Sequence, residues 1–156
     1  MAFVDINTAL NEAMKLSMAT LSKNDIQLEQ SLSTNLPHCY ADIQLIEQVF
    51  LNLIHNAIGA LADTDGEKII SVASYTKEGR VCAQISDSGH GIPPDIRDKI
   101  FLPFYTTKSD GAGIGLNIVS RIIEDHHGGI DVGDSRWGGA QFTVALSIDR
   151  RAQRGQ

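Results

Sequence analysis

Residues 87–116 read DSGHGIPPDIRDKIFLPFYTTKSDGAGIGL, and no regular helix or strand can carry that stretch from end to end. Gly89 and Gly91 stand on one side of an aromatic and cationic segment, Phe101 to Lys108, and Gly111, Gly113 and Gly115 stand on the other. Glycine reaches positive φ without strain and costs stability inside regular elements, so clusters of it mark backbone that bends or lies close to something else. Exposed N–H groups beside a helix start favour an anion, and phosphate suits this arrangement. Asp87 opens the stretch where a strand is expected to end, placed to accept from a donor such as an adenine amino group. The rest of the chain must build the frame that holds these turns.

That frame is patterned in order. Asn7 to Lys23 places Leu10, Ala13, Met14, Met18 and Leu21 at helical spacing, which predicts an amphipathic helix capped by Asn7, with both methionines as core filler. Ile26, Leu28 and Leu32 predict a half-buried strand, and His38 to Ala41 a short second one. Asp42 to Leu61 predicts a second helix with Ile46, Val49, Phe50, Leu53, Ala57 and Leu61 on one face, while Gln48, Asn52 and Asn56 recur every four residues on another. Asn is a weak helix former, so two of them inside an apolar helix suggest use, although a solvated side accommodates them equally well. Lys68–Tyr75 and Arg80–Asp87 read as strands around a Thr76-Lys77-Glu78-Gly79 turn, a hairpin that delivers Asp87 to a strand end. Pro94 suits the first turn of a short helix reaching Phe101. Ile118, Val119, Ile122 and Ile123 predict a third long helix with glycine as its cap near His127-Gly128-Gly129, and Gly129–Val132 and Gln141–Ser147 predict two last strands around Trp137-Gly138-Gly139.

Hairpin connections dominate this order, so the expected fold class is α/β (α+β): a two-layer sandwich whose mixed, largely antiparallel sheet of about five strands carries three main helices on one face. One domain is expected over 1–148, followed by a basic flexible tail, 149–156, with Arg150, Arg151 and Arg154. Apolar residues form 42% of the chain, ordinary for a globular protein. No apolar run approaches the roughly 20 residues that span a bilayer, and the start lacks a secretion signal, so a cytoplasmic domain is expected, with any membrane anchor left to segments outside this chain. The net charge of −6 argues against nucleic acid as a partner. Cys39 and Cys82 are too few for a disulfide framework and are expected to be reduced, and His38 and His90 are read as ordinary surface. Gly111-Ala-Gly-Ile-Gly115 is not a dinucleotide-binding G-x-G-x-x-G, and no P-loop lysine follows any glycine run.

Four stretches in this order resemble the catalytic ATP-binding domain of sensor histidine kinases, within the wider superfamily that includes DNA gyrase. Asn52-Leu-Ile-His-Asn56-Ala is similar to the N box, Asp87-Ser-Gly-His-Gly91 to the G1 box, Phe101 to Lys108 to the F box, and Gly111-Ala-Gly-Ile-Gly115-Leu116 to the G2 box; Gly138-Gly139-Ala-Gln-Phe142 resembles a last glycine box. Each motif is weak alone, but together they span nearly the whole chain. The resemblance implies ATP and Mg²⁺ as cofactors, with Asn56 helping to hold the metal and Asp87 accepting from the adenine amino group. Gly89 and Gly91 would let the backbone approach base and ribose. Gly111, Gly113 and Gly115 would bring N–H groups to the triphosphate, aided by the positive end of the helix after Leu116. Residues 101–110 would form a short lid, with Lys108 a candidate phosphate contact. The chain departs from the family at Gly59, where a basic residue is common, and at Ala140, where a threonine often helps position the base.

Gyrase-like relatives use a glutamate one turn before the metal-binding Asn as general base on water. Here that position is Asn52, and Glu47 projects about 140° away around the helix. An amide takes no proton at neutral pH, so Asn52 and Asn56 suit presentation of the γ-phosphate to another nucleophile. In the family this is a histidine on a separate helical dimerisation domain, upstream of a response regulator. No histidine in this chain carries the acceptor motif, so the chain is expected to be part of a longer kinase, monomeric by itself. A stand-alone ATPase of the gyrase type and a non-catalytic module that docks a partner when nucleotide is bound are the alternatives.

Overall fold

The computed structural model describes residues 1–103, 105 and 114–148; Lys108, Gly111, Gly113 and the tail 149–156 lie outside the described residues. The elements are β1 (Ala2–Val4), α1 (Ile6–Lys23), β2 (Gln27–Leu32), β3 (Cys39–Ala41), α2 (Ile43–Leu61), β4 (Ile69–Lys77), β5 (Arg80–Asp87), α3 (Ile114–Asp125), β6 (Gly129–Asp134) and β7 (Ala140–Ser147). Five strands form one sheet in the order β2-β4-β5-β7-β6, with β2 parallel to β4 and the other pairs antiparallel. The expected mixed, largely antiparallel sandwich with three helices is what the chain forms. The strand at His38–Ala41 does not join that sheet, because it pairs antiparallel with β1, whose three residues are too short to show any periodicity.

Side-chain parity explains the layering. Ile70, Val72, Val81, Ala83, Ile85, Phe142, Val144 and Leu146 alternate to one face of β4, β5 and β7, where they are buried against the helices. Apart from Ile69, their neighbours on the other face are mostly small or polar, with Gln84 donating to the Tyr75 hydroxyl at 2.9 Å and Ser86 donating to Gln141 at 3.0 Å. At the hairpin tip between β4 and β5, Glu78 and Gly79 take φ of 52° and 75°, the two-residue turn whose twist matches that of the strands.

The first helix corrects two expectations. Its cap is Asp5, whose carboxylate accepts from the Asn7 N–H at 2.9 Å; Asn7 lies one step inside. The Asn7 side chain is committed elsewhere, donating to the Ser33 carbonyl and accepting from Ser74 Oγ, each at 2.7 Å, and so ties α1 to β2 and β4. Met18 is 53% exposed, and its expected place in the core stripe is taken by Ser17, which is buried with its hydroxyl satisfied by the Ala13 carbonyl at 2.9 Å. A hydroxyl bonded back into its own helix hides its polarity, which apolar counting cannot register.

The end of α3 also differs from the expected glycine cap. His127, not a glycine, takes the left-handed conformation (φ 55°), with the Gly128 N–H bonded to the Ile123 carbonyl and the His127 N–H to the Glu124 carbonyl. Gly128 is demanded by proximity, since a Cβ there would lie 2.6 Å from the Ala145 carbonyl oxygen and 2.8 Å from Leu146 Cδ2. One residue earlier, buried His126 accepts from the Asp42 N–H at Nε2 (3.1 Å), which leaves the ring proton on Nδ1 to donate to the Ile122 carbonyl (2.8 Å). This neutral imidazole staples the end of α3 to the start of α2, where Asp42 caps the helix through the N–H groups of Gln44 and Leu45.

Both cysteines are free and buried. Burial, followed by the nearby charge of Asp5, pushes the Cys39 thiol up to about 11, and burial also raises Cys82. Thiolate is the reactive form. In the native protein at pH 8, Ellman's reagent is therefore expected to titrate neither thiol at the rate of a free cysteine, and both at once in denaturant; fast native labelling would contradict this burial.

Candidate functional site

The site forms at the end of the sheet where β5 stops. Asp87, its last residue, is 1% exposed, and its Oδ1 accepts from the N–H groups of Gly89 (2.9 Å) and Ala140 (3.3 Å). Those bonds orient the carboxylate from two directions, one from the turn that follows β5 and one from the start of β7. Ser88, next in line, fastens this turn to the sheet: its hydroxyl accepts from the Ile69 N–H and donates to the Glu67 carbonyl, both at 2.9 Å.

Gly89 is where the helix layer meets this turn. A Cβ there would lie 2.9 Å from the Ala60 carbonyl oxygen and 3.0 Å from Asp87 Oδ1. Ala60 is one turn beyond Asn56 and two beyond Asn52, so the half-buried amides and the Gly89 turn share one stripe of α2. Gln48, expected to continue that stripe, is exposed. Gly91 (φ 80°) approaches the β6–β7 turn, where a Cβ would fall 2.7 Å from the Gly138 carbonyl oxygen. Gly139 is the tightest point: a Cβ there would lie 2.2 Å from the Asp87 carbonyl oxygen, 2.6 Å from Oδ1 and 2.8 Å from the Gly89 nitrogen.

Gly115 and Leu116 sit in the first turn of α3, which begins at Ile114 rather than after Leu116. The Leu116 side chain is buried in the core, and α3 packs along α2. Phe101 meets Phe142 edge-on at 6.2 Å, so the start of the aromatic segment rests on the sheet. Arg97 holds the intervening loop, donating to the Ile92 carbonyl at 2.9 Å and to Asp134 at 2.6 Å. His90 is exposed, in keeping with its reading as surface.

Sequence reasoning missed Ser135. It is 6% exposed, and its hydroxyl donates to the Asp87 carbonyl at 2.6 Å and accepts from the Gly139 N–H at 3.0 Å. A serine opening a Ser-Arg-Trp-Gly-Gly turn was the available signal, but its partner is 48 positions away.

Gly89 and Gly139 pack so closely on Asp87 that a Cβ at either would collide with it, so the two turns fix the carboxylate that a ligand would meet. Among the described residues no group of three or more His, Cys, Asp or Glu could hold a metal by itself. Asn56, half-buried on α2, carries an amide oxygen, a donor type that fits Mg²⁺, a cation that takes most of its ligands from phosphates and water.

This architecture, with a mixed sheet under three helices and a buried acid between two glycine turns, defines a class. Residues 41–150 match the family described as Histidine kinase-, DNA gyrase B-, and HSP90-like ATPase, and the chain belongs to that family. It is 37% identical over 146 residues to the sensor histidine kinase ZraS of Escherichia coli (strain K12), covering 94% of this chain but 31% of ZraS. The solved catalytic domain of histidine kinase ThkA superposes with a TM-score of 0.84 at 31% identity, covering 95% of this chain and 97% of that one. Full-length ShkA in complex with AMPPNP gives a TM-score of 0.80 at 31% identity over 93% of this chain and 30% of its own. The chain thus spans about a third of the length of the curated relative it matches. Among the described residues no helix is long and apolar enough to cross a membrane.

Proposed function

We propose that this chain binds ATP with Mg²⁺ and presents the γ-phosphate to a histidine on a helical phosphoacceptor domain outside it, for relay to a response regulator. The observation that carries this reading is the seating of the Gly89 turn on Ala60, which sets buried Asp87 at the end of the stripe that bears Asn52 and Asn56. Asp87 accepts from the adenine 6-amino group, since a carboxylate offers about four lone-pair positions and can serve its own turn and a ligand together. Gly89 and Gly91 admit the base and ribose. The resemblance assigns Gly111, Gly113 and Gly115 to the phosphates through their N–H groups and Lys108 to them through its charge, while Leu116 anchors the start of α3 in the core.

Asn56 would hold Mg²⁺ through its amide oxygen, and the ion when bound would offset phosphate charge. Asn52 stands where a general base would activate water, and an amide cannot remove a proton. Phosphoryl transfer asks chiefly for alignment and charge neutralisation, which this pocket offers an external nucleophile. The relation to ZraS, a sensor histidine kinase, supports the same direction.

Incubation with γ-labelled ATP is expected to leave this chain without stable label, and addition of the phosphoacceptor segment of the same polypeptide is expected to yield phosphohistidine on that segment. Stable label on this chain alone would overturn the assignment. Steady hydrolysis lost in Asn52→Ala would instead favour a stand-alone ATPase.

A further inference from the structure

We propose that Ser135 is a positioning residue for base recognition, acting through Asp87. This deepens, and rests on, the assignment of Asp87 to the adenine amino group. The Ser135 hydroxyl links the backbones of Asp87 and Gly139: it donates to the carbonyl of Asp87 at 2.6 Å and accepts from the N–H of Gly139 at 3.0 Å, with the Trp137 N–H also within reach at 3.3 Å. The turn it opens is closed by the Ser135 N–H bonding to the Gly139 carbonyl at 2.8 Å and the Gly138 N–H to the Ser135 carbonyl at 3.0 Å. Gly139 in turn packs against Asp87 Oδ1, and the Ala140 N–H donates to that same oxygen at 3.3 Å. One hydroxyl therefore keeps the β6–β7 turn pressed on the carboxylate.

Replacing that hydroxyl leaves a buried carbonyl at Asp87 and a buried N–H at Gly139 without this partner, a state such groups avoid by moving apart. The turn then separates from Oδ1, the Ala140 bond lengthens, and the carboxylate loses its set direction. Nucleotide must reorder it on binding, and the loss falls on the contact that depends on direction, the one to the base amine.

The test compares ATP with purine riboside triphosphate, which lacks the 6-amino group, by calorimetry at fixed Mg²⁺. The unaltered chain is expected to prefer ATP, and Ser135→Ala is expected to reduce that preference by about fivefold, the size of one net hydrogen bond. A purely structural role would weaken both nucleotides alike and leave the ratio unmoved. Ser135→Cys, with a weaker donor, is expected to give an intermediate ratio and decides the matter if the alanine variant does not fold. An unaltered ratio in the folded variants overturns the role of Ser135 while the reading of Asp87 stands. No preference for ATP in the unaltered chain overturns the reading of Asp87 and this inference with it.

Discussion

Asp87→Asn is expected to weaken ATP binding by about 1–3 kcal/mol, or roughly 5- to 150-fold in Kd, measured by calorimetry on a protein that stays folded. The fold should survive because the asparagine oxygen can still accept from the N–H groups of Gly89 and Ala140, which the Asp87 Oδ1 accepts now. The nucleotide contact should not, because a charge-assisted acceptor becomes an amide that presents N–H toward the adenine amine. Far-UV circular dichroism checks the first half of the expectation. An unchanged Kd would place the base somewhere other than at the end of β5.

Gly139→Ala is expected to do more harm, to stability as well as to binding. The added carbon would lie 2.2 Å from the Asp87 carbonyl oxygen, 2.6 Å from Oδ1 and 2.8 Å from the Gly89 nitrogen, and two of these are backbone atoms that cannot swing away. Overpacking of this kind costs about 1–3 kcal/mol or more, read as a fall in thermal midpoint. Because the clash falls on the carboxylate and its turn, nucleotide binding should drop below detection in the same variant. Gly133→Ala is the control: a Cβ there meets nothing within 4 Å, so stability should change by no more than about 0.5 kcal/mol. Equal behaviour of the two variants would mean that the packing of Gly139 against Asp87 does not hold the site.

The two variants separate what the carboxylate does chemically from how it is held. Asp87→Asn removes an acceptor and leaves the turns in place. Gly139→Ala keeps the acceptor and displaces the turns. Binding weakened in both, with stability lost only in the second, is the pattern a preorganised base pocket requires.

Much of this was written along the chain at short range. Helix α2 announces itself through Ile46, Val49, Phe50, Leu53, Ala57 and Leu61, all buried at helical spacing, and Asp42 caps it as a side chain that bonds its own helix start. The hairpin that ends at Asp87 is local too, because alternation and a Glu78-Gly79 turn need only neighbours in sequence. Asn52 and Asn56 drew notice as weak helix formers inside a helix, Asp87 by its place at a strand end and Gly89 and Gly91 by their clustering, and the resemblance to a known family gave them their expected roles.

Contacts between distant residues were beyond the reach of such patterns. That the Asn7 side chain ties α1 to β2 and β4 follows from Ser33 and Ser74, and that Gly128 is required follows from Ala145 and Leu146 across the sheet. Ser135 and His126 look unremarkable in sequence, yet one latches a turn to Asp87 and the other joins α3 to α2. Periodicity reports which side of an element avoids water, and so determined the layers of this protein. Which hydroxyl, ring nitrogen or missing Cβ meets which backbone depends on the docking of whole elements, and only the tertiary structure decided that.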